Sequence, residues 1–333
     1  MKTTRRELLG AAAAGVALGS LALTRGGSSS AKPAPAMHGP VPSVPPLVSI
    51  AKAPGYTMDV YDTVYRMVSE HKLDVRGKRV VLKPNLVEFD PDTAINTNPI
   101  VVHAAFEAFR KLGADVKIAE GPGHRRATLD LADAAGYFGT VPKFEDLFTD
   151  LNLDSVSRRV IPRPLSQLKS LYLPHTVLDC DLLVSLPKMK THHWAGATLA
   201  MKNLFGLVPG GVYGWPKNVL HWAGIAESIV DLHHLFPRQF AIVDGIVGME
   251  GNGPIQGTPK QAGVLVAGSD VAAVDATCCR IMGIEPEKIE YLRLVRGEEN
   301  LGESAFHQIG EAVRAVHTPF HLIDPWRQMI QAA

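Results

Sequence analysis

Apolar and polar positions alternate along the chain in two different rhythms. Short continuous apolar runs predict buried strands, and they lie at residues 78–85, 115–123, 181–187, 240–246 and 263–270. Segments whose apolar residues recur every three or four positions predict amphipathic helices, and they lie at residues 57–71, 98–114, 127–137, 218–236 and 271–283. Because strands and helices alternate, the pattern predicts an α/β fold with a doubly wound, mostly parallel sheet and helices on both faces.

Polar side chains follow each predicted strand directly. They are Lys83 and Asn85, Glu120, Lys188 and Lys190, Asp244, and Ser269 with Asp270. The carboxyl ends of parallel strands share one edge of a sheet, and ligands bind at that edge. We therefore expect the site at the carboxyl edge of the strands.

The first residues predict an export signal. Arg5 and Arg6 precede an apolar run from Leu8 to Leu23 that is rich in Ala and Gly. A twin arginine before a weakly apolar segment is typical of a twin-arginine signal peptide. A membrane anchor is the alternative, but the run is short and weakly apolar for a span. We expect the twin-arginine translocase as a partner and a periplasmic or cell-surface location, with no stable membrane span after cleavage.

The predicted boundaries follow from composition. Residues 1–36 form the signal, with cleavage after either 29–31 or 34–36, and residues 37–55 form a linker rich in Pro, Gly and Ser. Residues 56–333 form a single α/β domain, which is long enough to bury a core without disulfides or metals.

Charge argues against a nucleic-acid partner. The whole chain has 34 Lys and Arg against 33 Asp and Glu, and removal of residues 1–36 takes away five basic residues and one acidic residue. The remaining 29 basic and 32 acidic residues give a net charge of −3. Such a balance does not predict binding to nucleic acid or to an anionic membrane surface.

The three cysteines do not predict a metal centre. Cys180, Cys278 and Cys279 contain no CxxC pair, and their spacing suits neither zinc nor an iron–sulfur cluster. We expect free cysteines and no cluster.

Residues 187–211 carry the strongest chemical signal. Lys188, Lys190 and Lys202 lie there among histidines, threonines, Asn203 and large apolar residues. Alternation along the strand places Lys188 and Lys190 on the same side. Ammonium groups beside hydroxyls and imidazoles suit the oxygens of a phosphate or a carboxylate. The alternative is that these lysines are solvated and that the histidines cap backbone carbonyls.

The histidines also raise the possibility of a metal site. The residues involved are His192, His193, His221, His233 and His234. Adjacent histidines rarely chelate one ion together, and neither HExxH nor a His-x3-His helix pattern occurs. The sequence therefore leaves a bound metal unknown.

Three carboxylates are further candidates. Asp244 and Glu250 flank glycines in the stretch 242–257, which suits proton transfer or a hard cation such as Mg²⁺. A turn that uses local hydrogen bonds is the alternative. Asp275 lies in an apolar helix, where a lone carboxylate needs a partner, and we expect the lysines to provide it.

The stretch GPGHRR at 121–126 could bind an anion through backbone N–H groups and Arg125 or Arg126. Its glycine spacing does not match a dinucleotide fingerprint, so NAD is not expected. No nucleophile elbow, Walker loop or kinase motif occurs.

Several motifs together resemble a known family. In order they are KPNLV, TNPIVVHAAFEAFRKLGA, LPKMKTH, MKNLFGLVP, VDGIVGMEGNGP and VAAVDATCCRIMG. They are similar to the family of domain of unknown function 362, over residues 78–283. The resemblance implies no settled activity. Many relatives carry ferredoxin-type cysteine runs, which this chain lacks, so it does not imply a cluster here.

The polar residues that match the family pattern are Lys83, Asn85, Lys188, Lys190, His192, Lys202, Asn203, Asp244, Glu250 and Asp275. We expect Lys190, Asp244 and Glu250 to be catalytic and the others to bind ligand. The first hypothesis is an exported enzyme for a small anionic substrate, in which Asp244 or Glu250 moves a proton or holds a divalent cation. The alternative is a non-catalytic binding or maturation protein for a metal or cofactor.

Overall fold

The computed structural model describes residues 44–124, 127–324 and 326–329. The predicted signal, its cleavage sites, residues 37–43 and the pair Arg125 and Arg126 lie outside these residues. Within the described ranges, no helix is both long enough and apolar enough to cross a membrane.

Ten of the strands form one sheet and two form a separate hairpin. The strands are β1 Leu47–Lys52, β2 Arg79–Pro84, β3 Asp115–Glu120, β4 Phe148–Asp150, β5 Val156–Val160, β6 Ser170–Pro174, β7 Leu182–Leu186, β8 Lys188–His192, β9 Gly196–Thr198, β10 Gln239–Glu250, β11 Thr258–Gly268 and β12 His307–Gly310. The hairpin is β5 with β6.

Helices connect most of these strands. They are α1 Asp59–Glu70, α2 Pro99–Lys111, α3 Thr128–Ala134, α4 Tyr137–Thr140, α5 Phe144–Leu147, α6 His175–Leu178, α7 Ala200–Asn203, α8 Gly210–Tyr213, α9 Val219–Trp222, α10 Ile225–Leu235, α11 Val271–Ile281, α12 Glu290–Arg296 and α13 Val313–Val316. Single 3₁₀ turns cover Leu204–Leu207, Pro286–Lys288, Glu298–Asn300, Glu303–Ala305 and Trp326–Met329.

The sheet is mostly parallel, as predicted. Its order is β12-β1-β11-β10-β7-β2-β3-β4, and β8 adds to β10 and to β9. Along that order β11 pairs antiparallel with both of its neighbours, whereas the other pairings are parallel. All strands of the order except β11 therefore run in one direction, and their carboxyl ends share one edge.

Helices cover both faces of the sheet. Val80 and Leu82 of β2 pack in one apolar cluster with α1 and α2, whereas Val81 between them packs in the other cluster with α10 and α11. In β10 the neighbours Phe240 and Ala241 divide in the same way. Successive side chains of a strand point to opposite faces, so each face needs its own apolar cover. This confirms the predicted α/β class.

The direction of β11 corrects one expectation. Because β11 is antiparallel to its neighbours, Ser269 and Asp270 at its end lie at the opposite edge from the other strand ends. Asp270 instead caps α11 by accepting a hydrogen bond from the Ala273 N–H at 2.9 Å, and it forms an ion pair with Arg296.

The predicted linker 37–55 is also too long. Residues 47–52 form β1, a mostly buried strand between β11 and β12. The prolines just before β1 gave this segment the composition of a linker. The strand forms because it pairs with β11 and β12, which are distant in sequence. The helix predicted over 218–236 is interrupted at Gly224, whose φ of 105° is incompatible with a continuous helix.

Candidate functional site

A pocket of about 120 Å³ opens at the carboxyl edge of the sheet. Four lysines line it: Lys83 from β2, Lys190 from β8, Lys202 from α7 and Lys217 from the loop between α8 and α9. Among the described residues, Glu120 at the end of β3 is the one carboxylate in the lining. Positive groups therefore outnumber negative ones at this end of the strands.

Lys83 and Glu120 form a buried ion pair. Lys83 Nζ lies 2.5 Å from a carboxylate oxygen of Glu120 and 3.0 Å from the side-chain oxygen of Asn203. Burial lowers the pKa of Lys83, and the charge of Glu120 partly offsets this. The backbone of Gly206 packs against the pair so closely that a Cβ there would lie 2.1 Å from Glu120. A side chain at position 206 would therefore displace this ion pair.

Lys190 is held by neutral acceptors. Its Nζ donates to the side-chain oxygen of Asn85 at 2.7 Å, to the Ile95 carbonyl at 2.9 Å and to the Pro254 carbonyl at 3.1 Å. Burial, followed by the charges of nearby lysines, lowers its pKa well below the usual range. Its three acceptors carry no formal charge, so its positive charge has no direct counterion among the described residues.

Lys202 differs from the other three lysines. It is 8% exposed, and within the described residues its ammonium group has no hydrogen-bond or ion-pair partner. Its Nζ lies 3.7 Å from the centroid of the Phe205 ring. Burial, with a contribution from the charge of Lys83, lowers the pKa of Lys202 to about 7. At neutral pH this group is poised between amine and ammonium.

Sequence analysis missed Lys217. Its Nζ donates to the carbonyl of Gly121, to the side-chain oxygen of Asn152 at 3.2 Å and to the Gly206 carbonyl at 3.4 Å. Burial lowers its pKa to about 7. A single lysine in an irregular loop gives no periodic signal, so only the folded chain shows its place.

Three histidines, His124, His192 and His221, also line the pocket. The Nδ1 atom of His192 accepts hydrogen bonds from the backbone N–H groups of Trp194 and Ala195, at 2.9 and 3.2 Å. Burial lowers the pKa of His192 well below its usual range, so the ring is neutral and Nε2 carries the hydrogen. His221 also lines the pocket; burial lowers its pKa to about 4, and its Nδ1 is buried without a partner in the described structure.

Asp244 and Lys188 form a separate cluster with Tyr56. Lys188 Nζ lies 2.6 Å from Asp244 and 2.8 Å from the Tyr56 hydroxyl, which donates to Asp244 at 3.0 Å. Asp244 also accepts from the Asn98 N–H at 2.9 Å. Lys188 lines a different pocket, of about 310 Å³, so Lys188 and Lys190 do not line one common pocket. That their side chains lie on the same side of β8 stays a prediction.

Glu250 does not line the lysine pocket. Its carboxylate pairs with Lys260 at 3.2 Å and accepts from the His321 N–H at 2.9 Å. The predicted glycine-rich loop is largely strand, because β10 continues through Glu250 and pairs with β11. Its catalytic role stays a prediction that this position does not support.

Asp275 pairs with backbone instead of lysine. From α11 it accepts hydrogen bonds from the N–H groups of Ala200 and Met201, at 2.7 and 3.0 Å, and from the Tyr291 hydroxyl at 3.4 Å. The expectation of a lysine partner is therefore wrong. Asp275 caps α7, the single helical turn that carries Lys202, and so it holds the backbone of this turn in place.

The residues predicted to be catalytic or to bind ligand divide accordingly. The pocket contains Lys83, Asn85, Lys190, His192, Lys202 and Asn203, and it excludes Lys188, Asp244, Glu250 and Asp275. Within the described ranges, no three His, Cys, Asp or Glu side chains are grouped in a way that could hold a metal ion. Asn203 links α7 to β2 and β7, because its amide donates to the Lys83 carbonyl and to the Ser185 hydroxyl, each at 3.1 Å.

Comparison with known proteins gives three results. Residues 80–280 match the family described as Domain of unknown function (DUF362). A thylakoid-associated protein of Synechocystis sp. is 30% identical over 235 residues, which cover 68% of each chain. The lactate racemase apoprotein from Thermoanaerobacterium thermosaccharolyticum aligns with a TM-score of 0.43 and 14% identity, over 72% of this chain and 57% of that one. From the family match and the sequence relative, the chain belongs to the DUF362 family.

Proposed function

We propose that the protein is an enzyme that binds a small carboxylate- or phosphate-bearing molecule in the lysine pocket. One observation carries the proposal: four lysines and a single carboxylate line this pocket among the described residues. An ion pair satisfies Lys83, but Lys190, Lys202 and Lys217 have no carboxylate partner. Buried charge without a counterion costs free energy, and a bound anion would recover it.

The size of the pocket limits the ligand. A cavity of about 150 Å³ holds benzene, which has six non-hydrogen atoms. The 120 Å³ pocket therefore suits an anion of similar or slightly smaller size, such as phosphate or a two- or three-carbon carboxylate. The excess of lysines favours an anion over the divalent cation that the sequence left open.

Lys202 is the group best suited to contact and change the ligand. The three donors of its ammonium are free within the described structure, whereas those of Lys190 and Lys217 are engaged. Its pKa of about 7 lets it both donate and accept a proton at neutral pH, which is the condition for general acid–base catalysis. Lys190 and Lys217 also hold the anion, because a bound negative charge favours their protonated forms and so offsets the lowering of their pKa by burial.

Calorimetric titration with phosphate and with short carboxylates tests binding. We expect Lys202→Met to weaken binding about tenfold or more, because a hydrogen bond to a charged group contributes about 1.5–3 kcal/mol. Lys260→Met is the matched control, since it removes one lysine outside the pocket. Equal affinities for Lys202→Met and the parent protein would rule out this pocket as the anion site.

Solvent exchange separates an enzyme from a binding protein. Bound carboxylates are incubated in D₂O, and loss of carbon-bound hydrogen is followed by NMR. An enzyme that moves protons through Lys202 exchanges a hydrogen next to the carboxylate, and Lys202→Met does not. Binding without exchange in any carboxylate would instead favour the non-catalytic carrier or maturation protein.

We also propose that the protein is exported by the twin-arginine route, on the basis of Arg5, Arg6 and the apolar run that follows. Replacing both arginines by lysine should retain the protein in the cytoplasm, as measured by cell fractionation. Unchanged export of this double variant would contradict the route.

A further inference from the structure

Lys202 has the geometry of a reactive amine. The other three pocket lysines donate hydrogen bonds to protein oxygens, but Lys202 has no such acceptor in the described residues. It is nine-tenths buried and lines the pocket directly. A buried amine without a hydrogen-bond acceptor is costly.

The surroundings of Lys202 favour a free lone pair on Nζ. Phe205, Leu86 and Val87 provide apolar wall in the same pocket, and the charge of Lys83 opposes protonation of Lys202. Lysines that are desolvated in an apolar pocket beside a second cation are typical nucleophiles toward carbonyl carbon. The pKa of about 7 agrees with this arrangement.

The backbone turn that carries Lys202 is also anchored. Asp275 binds the first two N–H groups of α7, and the neighbouring Asn203 is bonded to Lys83 and Ser185. The turn that carries Lys202 is therefore anchored on both sides. A nucleophile held in place reacts faster because its orientation is set before the ligand arrives.

We propose that Lys202 forms a Schiff base with a small oxo acid, a carboxylate that carries a ketone or aldehyde carbonyl. This inference rests on the proposed function. Lys190 and Lys217 would attract the carboxylate of the substrate, and its carbonyl carbon would then lie next to Nζ of Lys202. The pocket volume of about 120 Å³ accommodates about five or six non-hydrogen atoms, the size of a two- or three-carbon oxo acid.

The chemistry balances without an added oxidant or reductant. The lone pair of Nζ forms a bond to the carbonyl carbon, and the carbonyl π electrons move to oxygen. Nζ loses a proton and the oxygen gains one, which gives a carbinolamine. A second proton on that oxygen lets it leave as water while Nζ forms the double bond. The second proton comes from solvent, so the net step consumes one proton and releases one water. The neutral His192 carries hydrogen on Nε2 and lines the same pocket, so it can donate a hydrogen bond to this oxygen without giving up its own proton.

The product is a cationic imine, which withdraws electrons from the adjacent carbon. A C–H or C–C bond on that carbon is thereby weakened, as in other Schiff-base enzymes. The class of reaction is therefore proton abstraction, carbon–carbon cleavage or carbon–carbon formation next to the carbonyl.

Reductive trapping tests the inference. The purified protein is incubated with pyruvate or glyoxylate and cyanoborohydride, digested and mapped by mass spectrometry. We expect one carboxyalkyl group per chain, located on Lys202. Lys202→Met should lower the yield of this adduct about tenfold or more, because the nucleophile is removed. Lys260→Met, outside the pocket, should keep the parental yield.

Two further probes sharpen the result. Propionate, which lacks the carbonyl, should compete and protect Lys202, whereas acetone, which lacks the carboxylate, should label it poorly. Adducts spread over surface lysines with Lys202 unmodified would overturn the proposal. The peptide map of the parent protein gives this answer even if Lys202→Met fails to fold, and Lys202→Arg serves as a second variant.

The outcomes distinguish the two proposals. Binding of propionate by calorimetry without an adduct from pyruvate would leave the anion site standing and reject the Schiff base. An adduct on Lys202 without saturable binding of any anion would support the nucleophile and reject the anion site. Absence of both would reject the two proposals together.

Discussion

Lys188 and Lys202 are both buried lysines of the same segment, but their surroundings differ. Lys188 Nζ lies 2.6 Å from Asp244 and 2.8 Å from the Tyr56 hydroxyl. Lys202 contacts the face of Phe205 and has neither an acceptor nor a counterion among the described residues. Identical side chains are therefore neutralised in one cluster and left unpaired in the other.

The difference separates stability from function. A buried ion pair with its hydrogen bonds complete maintains the local structure, although its net contribution to stability is small. An unpaired buried ammonium only costs free energy in the free protein, so its presence indicates a ligand or a reaction. We therefore assign a structural role to the Lys188 cluster and expect the proposed chemistry in the Lys202 pocket.

The largest expected effect is on the paired cluster. Asp244→Asn removes the counterion of buried Lys188, so we expect the free energy of unfolding to fall by about 3–5 kcal/mol. Urea denaturation measures it. The double variant Lys188→Met/Asp244→Leu removes both charges and should recover part of this loss. A single variant as stable as the parent protein would refute the structural role of the pair.

A second, smaller effect concerns the cap of α7. Asp275→Ala leaves the N–H groups of Ala200 and Met201 without their acceptor, which should cost about 1–3 kcal/mol. Because α7 carries Lys202, we also expect weaker carboxylate binding in calorimetry. Thr277→Val is the matched control: it removes a side-chain hydrogen bond on the same helix without touching α7. Loss of stability with full binding would separate the cap from the pocket.

The third prediction concerns the pH dependence of stability, which reports the lowered pKa of Lys202. Its pKa of about 7 in the folded protein lies below the ordinary value near 10.4, so between these values the unfolded chain binds the extra proton. The free energy of unfolding should therefore rise from pH 7 to pH 10, by about 1.4 kcal/mol per unit for this lysine. Below pH 7 both states are protonated, and its contribution no longer changes.

Lys202→Met should flatten this rise in chemical denaturation at successive pH values, while the share due to Lys217 remains. The same variant should equal or exceed the parent protein in stability at pH 6, because a buried charge has been replaced by an apolar side chain. A parallel pH profile for parent and variant would show that Lys202 keeps an ordinary pKa.

The smallest effect is expected at Glu250. This residue pairs with the partly exposed Lys260, so Glu250→Gln should change the free energy of unfolding by less than about 1 kcal/mol. Its distance from the pocket lining also predicts unchanged anion affinity in calorimetry. A large loss of affinity would support the site role that the sequence predicted for Glu250.

The apolar pattern of the chain predicted the α/β class, the mostly parallel sheet and five of its strands, β2, β3, β7, β10 and β11. It also placed Lys83, Lys190 and Lys202 together, because residues that follow parallel strands meet at one edge. It failed at β11, whose antiparallel direction moves Ser269 and Asp270 to the other edge. Strand direction depends on the partner strand and leaves little trace in local periodicity.

The partners of each charge were decided by the tertiary structure alone. Lys83 pairs with Glu120 across 37 residues, and Lys188 pairs with Asp244 across 56. Local patterns carry no information about which of several carboxylates reaches a given lysine, since strand order and register set that distance. The sequence therefore determined that lysines gather at the sheet edge. Only the fold decided which were neutralised, and it left Lys202 unpaired because Asp275 reaches the backbone of α7 and Glu250 lies beyond the pocket.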